Sequence, residues 1–311
     1  MDGLPLSLAS ATTSVRQATL KTAIGCVGYG LHTGRRVSLM LRPAEPDRGI
    51  RFRRTDLGRE IPARFDHVAD ARLSTTLADG NDPACRVRTV EHLMSALAGA
   101  GIDNAVVELD GPEVPILDGS ASPYVFLIEC AGIAGQTLPR RRIEVLGPVR
   151  VSAGEAWAEL LPPDHPGCGL DMTLSIDFAA EAIGRQAVSI CLSPESFRHQ
   201  LCRARTFALA EEVEALRAAG LARGGSLENA VVVDGGRILN PGGLRMKDEF
   251  ARHKLLDAVG DLALAGAALD GRFIAHRSGH ALNNRLLHAL FADPGAWREA
   301  EVEAETARAA A

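Results

Sequence analysis

RHKLLDAVGDLALAGAALDG, residues 252–271, is the stretch on which the fold turns. Leu255, Leu256, Val259 and Leu262 recur at helical spacing, and the periodicity predicts a helix over 248–266 with Gly266 as its stop. A strand ending in Asp-Gly then follows. His253, Asp257 and Asp261 stand four and four apart, so they form one polar stripe roughly opposite the leucines. The residues alone leave two readings open. The stripe is either the wet face of an amphipathic helix, or it offers two ligands of one metal ion. Zinc takes imidazole nitrogen and carboxylate oxygen, and a catalytic site usually has three protein ligands. A third ligand would have to come from elsewhere.

Working outward, EHLMSALAGAGIDNAVVELDG, residues 91–111, echoes that outline: a histidine, an apolar helix, a Gly stop and a strand ending in Asp-Gly. The echo raises an internal duplication without deciding it. In the first half, TLKTAIGCVGYG and RRVSLMLRPA alternate as strands do. Thr89 is placed to cap the helix that begins near Glu91, and Gly99 or Gly101 to stop it. Ser122 is placed to cap a second helix with Pro123 at its first position. GQTLPRRRIEV breaks the pattern, which puts a boundary near 135–142 and reads Arg140–Arg142 as a solvated linker, with a phosphate-facing role as the lesser alternative. The second half repeats the style. Strands are expected in VSAGEAWAELLP and GLDMTLSIDF, a helix start at Ser193-Pro194, and an amphipathic helix ending at Gly220. After the 248–266 helix come a strand in RFIAHRS and a helix through NNRLLHALF. Strands and helices mixed without strict βαβ alternation predict an α+β fold. The segments are taken as an extension at 1–14, an N-terminal α+β domain at 15–138, a C-terminal α+β domain at 139–300 and a tail at 301–311. The charged, alanine-rich end from Arg298 reads as helical or frayed.

The 311 residues are 46% hydrophobic and 23% charged, the composition of a soluble globular protein with room for two ordinary domains. A net charge of −5 argues against a dedicated nucleic-acid binder. The six cysteines are scattered with no C-x-x-C pair, so neither a disulfide framework nor a cysteine metal site is expected, and a reducing cytoplasm is the natural compartment. No secretory signal is read at the start, and no apolar run is long enough to span a bilayer.

Among the nine histidines, His92 stands out because Glu91 precedes it. A metal-bound water needs a base beside it, and a carboxylate next to a ligand can serve. Adjacency is a weak signal, because neighbours on a helix point about 100° apart. His165, His199 and His288 sit in ordinary contexts, and His67 and His276 read as structural.

The motifs TVEHLMSALAGAGIDNAVVELDGPEVPILDGSASPYV, RARTFAL, LNPGGLRMKDEFARHKLLDAVGDLALAG and SGHALNNRLLHAL occur in that order, and YGLHTGRRVSLMLRPA precedes them. Together, from about residue 15 to about 300, they closely resemble the UDP-3-O-acyl-N-acetylglucosamine deacetylase family, which performs the committed step of lipid A synthesis. The resemblance implies two α+β domains of similar topology, each a helix layer on a β-sheet, with the active site between them. It implies Zn²⁺ held by His92, His253 and Asp257, with Glu91 as general base and His280 as general acid or electrostatic partner. Asp261 would orient and polarise His280, and Thr206 would donate to the oxyanion. Lys254 and Phe207 would contact the substrate. Leu221 and Leu227, with Ala222, would line an acyl passage supplied by an insert in the second domain, although ordinary packing explains each of these apolar residues as well. The implied partner is a nucleotide-sugar lipid, met by a cytoplasmic monomer with transient contact at the inner-membrane surface. Ser74 stands where the family often has a cysteine near the metal, which puts thiol-linked inhibition in doubt and leaves catalysis untouched. His32 is expected near the site without an assigned step.

Two other classes remain open. A different zinc hydrolase is disfavoured by the absence of H-E-x-x-H. A non-catalytic sugar-nucleotide binder is disfavoured by the intact set Glu91, His92, His253, Asp257 and His280. Metal content separates these readings.

Overall fold

A computed structural model describes residues 16–165 and 169–301. The 1–14 extension, Cys168 and residues 302–311 of the tail lie outside the described residues. The helices are α1 (Glu91–Gly99), α2 (Ser122–Ala131), α3 (Pro194–Ser196), α4 (Ala210–Ala218), α5 (Glu249–Leu262) and α6 (His280–Ala292). A five-stranded sheet runs in the order Ile24–Tyr29, Arg36–Pro43, Ala105–Leu109, Ile50–Arg54, Arg59–Pro62. A larger sheet runs Val149–Ala153, Ala156–Leu161, Ala268–His276, Arg141–Val145, Trp297–Glu301, with Leu170–Asp177 also paired to Ala268–His276. The fold is α+β. Strict alternation builds these sheets: Val37, Leu39 and Leu41 point inward from one strand, and Leu170, Met172, Leu174 and Ile176 from another.

The shared unit of the two halves is a helix followed by the middle strand of its sheet. α1 leads through left-handed Gly101 to Ala105–Leu109, which lies parallel to Ile50–Arg54. α5 leads through a 3-10 turn, Ala263–Ala265, and left-handed Gly266 to Ala268–His276, which lies parallel to Arg141–Val145. The units differ in one respect. Asp110-Gly111 follows its strand, whereas Asp270-Gly271 lies inside the second strand. A Cβ on Gly271 would approach the Leu161 carbonyl oxygen to 2.8 Å, so only glycine lets the neighbouring strand come this close. α1 packs along α5, and α5 along α6, so the two helix layers meet in the middle of the molecule. Leu93, Ala96 and Leu97 of α1 and Leu255, Leu256 and Ala258 of α5 are fully buried.

Several sequence expectations need correction. Thr89 does not cap α1. It adopts φ +57°, and its hydroxyl donates to Glu113 Oε1 at 3.1 Å, while α1 begins after Val90 with no side-chain cap. Ser122 is the first residue of α2 and does not cap it; the N-cap is Ala121, with no side-chain cap, and the Ser122 N–H meets Ser120 Oγ at 3.2 Å. Arg140–Arg142 are not a solvated linker. Arg140 Nε meets Asp103 Oδ1 at 2.8 Å, Arg141 meets Asp47 at 3.0 Å, and Arg142 lies 3.7 Å from Asp270. The charged end is neither helix nor frayed at its start, because Trp297–Glu301 pairs antiparallel with Arg141–Val145. Ser193 does cap its helix, accepting the Ser196 N–H at 3.1 Å. Among the described residues no helix is long and apolar enough to cross a membrane.

Candidate active site

Two helices bring the chemistry together. α1 supplies Glu91 and His92 from its first turn, and α5 supplies His253, Asp257 and Asp261 from one face. All five are buried, at 2–4% exposure, which excludes the wet-face reading of the polar stripe. One ligand atom from each of His92, His253 and Asp257 lies within 4.8 Å of the others. His92 Nε2 stands 3.5 Å and His253 Nε2 3.3 Å from Asp257 Oδ1. That oxygen is buried and receives no hydrogen bond. A buried carboxylate oxygen without a donor is costly unless a cation meets it.

The protonation states suit a metal. Burial pulls the His253 pKa down to about 4, so the ring is neutral. Its Nδ1 donates to the Ala204 carbonyl at 3.0 Å, which leaves the Nε2 lone pair facing the cluster. Burial pushes the Asp257 carboxyl up, but the His253 ring and the Lys254 ammonium reverse this and hold it well below its ordinary range. Lys254 Nζ donates to Asp257 Oδ2 at 3.0 Å, so it stands at the carboxylate of the three-donor group. Two imidazoles and one carboxylate are a donor set that zinc accepts. Lys254 and His280, with side chains 19% and 10% exposed, mark the open side of the cluster.

Two flanking groups complete it. Glu91 Oε2 accepts the Thr75 backbone N–H at 3.0 Å, and burial raises its carboxyl pKa, which makes it a better base. His280 Nδ1 meets Asp261 Oδ2 at 2.9 Å. Burial alone would lower the His280 pKa, but the Asp261 carboxylate outweighs it and sets a value of about 9. Since that lies above the ordinary 6.5, the ring is cationic at neutral pH. Its contribution to stability is full below about 6.5 and is lost as pH rises through about 9. In metal-free protein, NMR of the ring protons should therefore show His280 titrating near 9. Asp261→Asn should lower it, since the largest raising cause is removed. A wild-type ring that titrates at its ordinary value would remove Asp261 from this role.

The remaining expected residues fall at different places. Thr206 follows Ala204 and Arg205 in the segment that leads into the strand Phe207–Leu209, with the Ala204 carbonyl at His253. Its N–H donates to Gly119 at 2.8 Å, and its carbonyl accepts from Val231 at 2.8 Å. Fully buried Glu249, at the start of α5, accepts the Arg205 N–H at 3.0 Å and Arg205 Nε at 2.8 Å. That clamp fixes the 204–206 segment against the start of α5, the helix that carries His253. Phe207 lies 6.3 Å, centroid to centroid, from the His253 ring and packs on Phe250. Leu221 is half-buried, and Leu227 is 42% exposed. Their stretch closes back on the first half, where the Gly224 N–H donates to the Leu31 carbonyl at 3.0 Å. His32 is buried with neither ring nitrogen hydrogen-bonded. Its backbone N–H shares the Glu113 carboxylate with Thr33 and with Thr89, two residues before Glu91. Ser74 is buried immediately before Thr75. His67 pairs with Asp66, and His276 with Ser175. Thr75, Asn283, Ala204 and the Arg205–Glu249 pair belong to the site although no spacing in the sequence points to them.

A sequence model of UDP-3-O-acyl N-acetylglycosamine deacetylase matches residues 17–292. The chain belongs to this family. It is 51% identical over 287 residues to the UDP-3-O-acyl-N-acetylglucosamine deacetylase of Acidithiobacillus ferrooxidans, covering 91% of this chain and 92% of that protein. It is 48% identical to the protein of the same name from Idiomarina loihiensis, covering 95% of this chain and 96% of that one. For the deacetylase of Methylococcus capsulatus the identity is 48%, covering 94% and 95%. Membership of the deacetylase family therefore spans both halves, and with them the helices that carry the two sets of candidate ligands.

Proposed function

We propose that this chain hydrolyses the N-acetyl group of UDP-3-O-acyl-N-acetylglucosamine, giving UDP-3-O-acyl-glucosamine and acetate, with Zn²⁺ held by His92, His253 and Asp257. The observation that carries the reading is the gathering of those three donors, within 4.8 Å of one another, between Glu91 and a cationic His280. Zinc at such a site acidifies water to a pKa of about 7 and polarises a carbonyl. Glu91 takes the proton as water adds to the acetyl carbonyl. Thr206 donates to the oxygen on which negative charge develops. His280 gives its proton to the sugar nitrogen as the carbon–nitrogen bond breaks, because an amide nitrogen leaves poorly until protonated. Asp261 keeps His280 oriented and charged for that transfer. Lys254 offers a point charge to the diphosphate once substrate competes with Asp257 for it. Phe207, with Leu221 and Leu227, offers apolar surface to the sugar and acyl chain. A lipid-bearing substrate fits a cytoplasmic monomer that touches the inner-membrane surface briefly, and the product enters lipid A synthesis.

The test is acetate release from UDP-3-O-acyl-N-acetylglucosamine with acyl chains of graded length. Turnover should vanish with chelator and return with zinc. Catalytic efficiency should rise with chain length, since each buried CH₂ contributes about 0.8 kcal/mol. Zinc-loaded protein that releases no acetate from any of these substrates would overturn the assignment.

A further inference from the structure

Thr75 lies in the loop before the strand Thr76–Asp79 and is 2% exposed. Each of its polar groups is committed. Its N–H donates to Glu91 Oε2 at 3.0 Å. Its carbonyl accepts the Val90 N–H at 3.2 Å, immediately before α1. Its hydroxyl donates to Asp261 Oδ1 at 2.6 Å, across 186 residues of chain. The other Asp261 oxygen, Oδ2, accepts from His280 Nδ1 at 2.9 Å and from Asn283 Nδ2 at 2.9 Å. Asn283 is held in turn by the Ser278 hydroxyl, which donates to its Oδ1 at 2.7 Å. Each oxygen of Asp261 thus has its own donor, and an ionised carboxylate can only accept. Remove the Thr75 hydroxyl, and Oδ1 is left buried without a partner. The carboxylate is then held through Oδ2 alone, so it can turn about its Cβ–Cγ bond and shift the His280 hydrogen bond with it.

We propose that Thr75 is a positioning residue that sets the general base and the general acid against each other, holding Glu91 with its backbone N–H and the Asp261–His280 pair with its hydroxyl. The inference rests on the roles given above to Glu91, Asp261 and His280. It adds that the first half of the chain dictates the orientation of an acid that the second half supplies. Effects of residues that act as one unit are non-additive, so a double-mutant cycle reads the coupling directly.

The experiment compares Thr75→Val and Thr75→Ser, alone and combined with Asp261→Ala. Valine keeps the shape and the N–H and loses only the donor. Serine keeps the donor. Thr75→Val should lower kcat by about tenfold or more, with KM and zinc content within about twofold of wild type, as loss of one hydrogen bond to a charged group predicts. Thr75→Ser should restore kcat to within about threefold. In the Asp261→Ala background, Thr75→Val should cost less than about twofold, because the partner it serves is gone. Thr75→Ala in the same cycle gives the same reading if the valine methyl does not fit. The proposal falls if Thr75→Val turns over like wild type, if it costs the same factor in both backgrounds, or if serine fails as valine does. Full turnover by Asp261→Ala alone would instead strike the assignment of Asp261 and His280, and the inference with it.

Discussion

Glu91→Ala should retain one zinc per chain and lose turnover by about 10²–10⁴-fold, the range that a positioned general base contributes. The reasoning starts from helix geometry. Glu91 and His92 are neighbours on α1, so their side chains diverge by about 100° and cannot both face the same ion in the same way. His92 Nε2 is the one that approaches Asp257 Oδ1, at 3.5 Å. Glu91 is turned toward the Thr75 N–H and stands outside the three-donor group. Its burial raises the carboxyl pKa, the direction a proton acceptor working near neutrality requires. Glu91→Gln should behave alike, because the amide keeps the shape and loses the basicity. Metal analysis beside turnover decides the matter. If zinc leaves with the carboxylate, Glu91 is a ligand and the division of labour on α1 is wrong.

How much of this could be read along the chain follows from the range of each interaction. His253 and Asp257 are legible as a pair because one helix sets their separation. His92 is not legible in that way. It reaches the pair only because α1 packs on α5; the adjacent Glu91 is a weak pointer to it, and the family resemblance the strong one. The alternating strands are local and legible, as are the glycine stops: Gly101, one of the two offered, is left-handed just past α1, and Gly266 ends a 3-10 turn that follows the α-helical end at Leu262. Thr89 is a local rule overridden: a threonine before a helix usually caps it, but here its hydroxyl is taken by Glu113 and its backbone turns left-handed. The arginine run misleads for a related reason, since Asp47, Asp103 and Asp270 all lie far from it in sequence. Thr75 is the extreme case. Its partners sit 16 and 186 residues away, and nothing in ARLSTTL announces either.

Gly260→Ala should damage the enzyme as severely, from a position that touches no reactant. Gly260 lies on α5 between Asp257 and Asp261, against the backbone of Glu91 at the start of α1. A Cβ built on it would stand 3.1 Å from Glu91 Cα, 2.8 Å from its carbonyl carbon and closer still to its carbonyl oxygen. These are backbone atoms of α1, so no side chain can swing aside. Helix propensity alone would favour alanine here by about 1 kcal/mol. The clash outweighs it, because relief requires α1 to slide or lift by about 1 Å, and overpacking of this kind costs about 1–3 kcal/mol. What moves is the first turn of α1, with Glu91 and His92 on it, relative to His253 and Asp257. A misplacement of about 1 Å typically costs about 10²-fold in rate, so turnover should fall by at least that much, and zinc affinity should fall with it. The melting temperature should drop by several degrees, at about 2–4 °C per kcal/mol for a chain of this size. Gly80→Ala is the control: a Cβ there meets nothing within 4 Å, and the variant should melt and turn over like wild type. Wild-type zinc binding and turnover in Gly260→Ala would mean that the spacing of α1 and α5 is set elsewhere, and that the site tolerates a separation its three-donor geometry forbids.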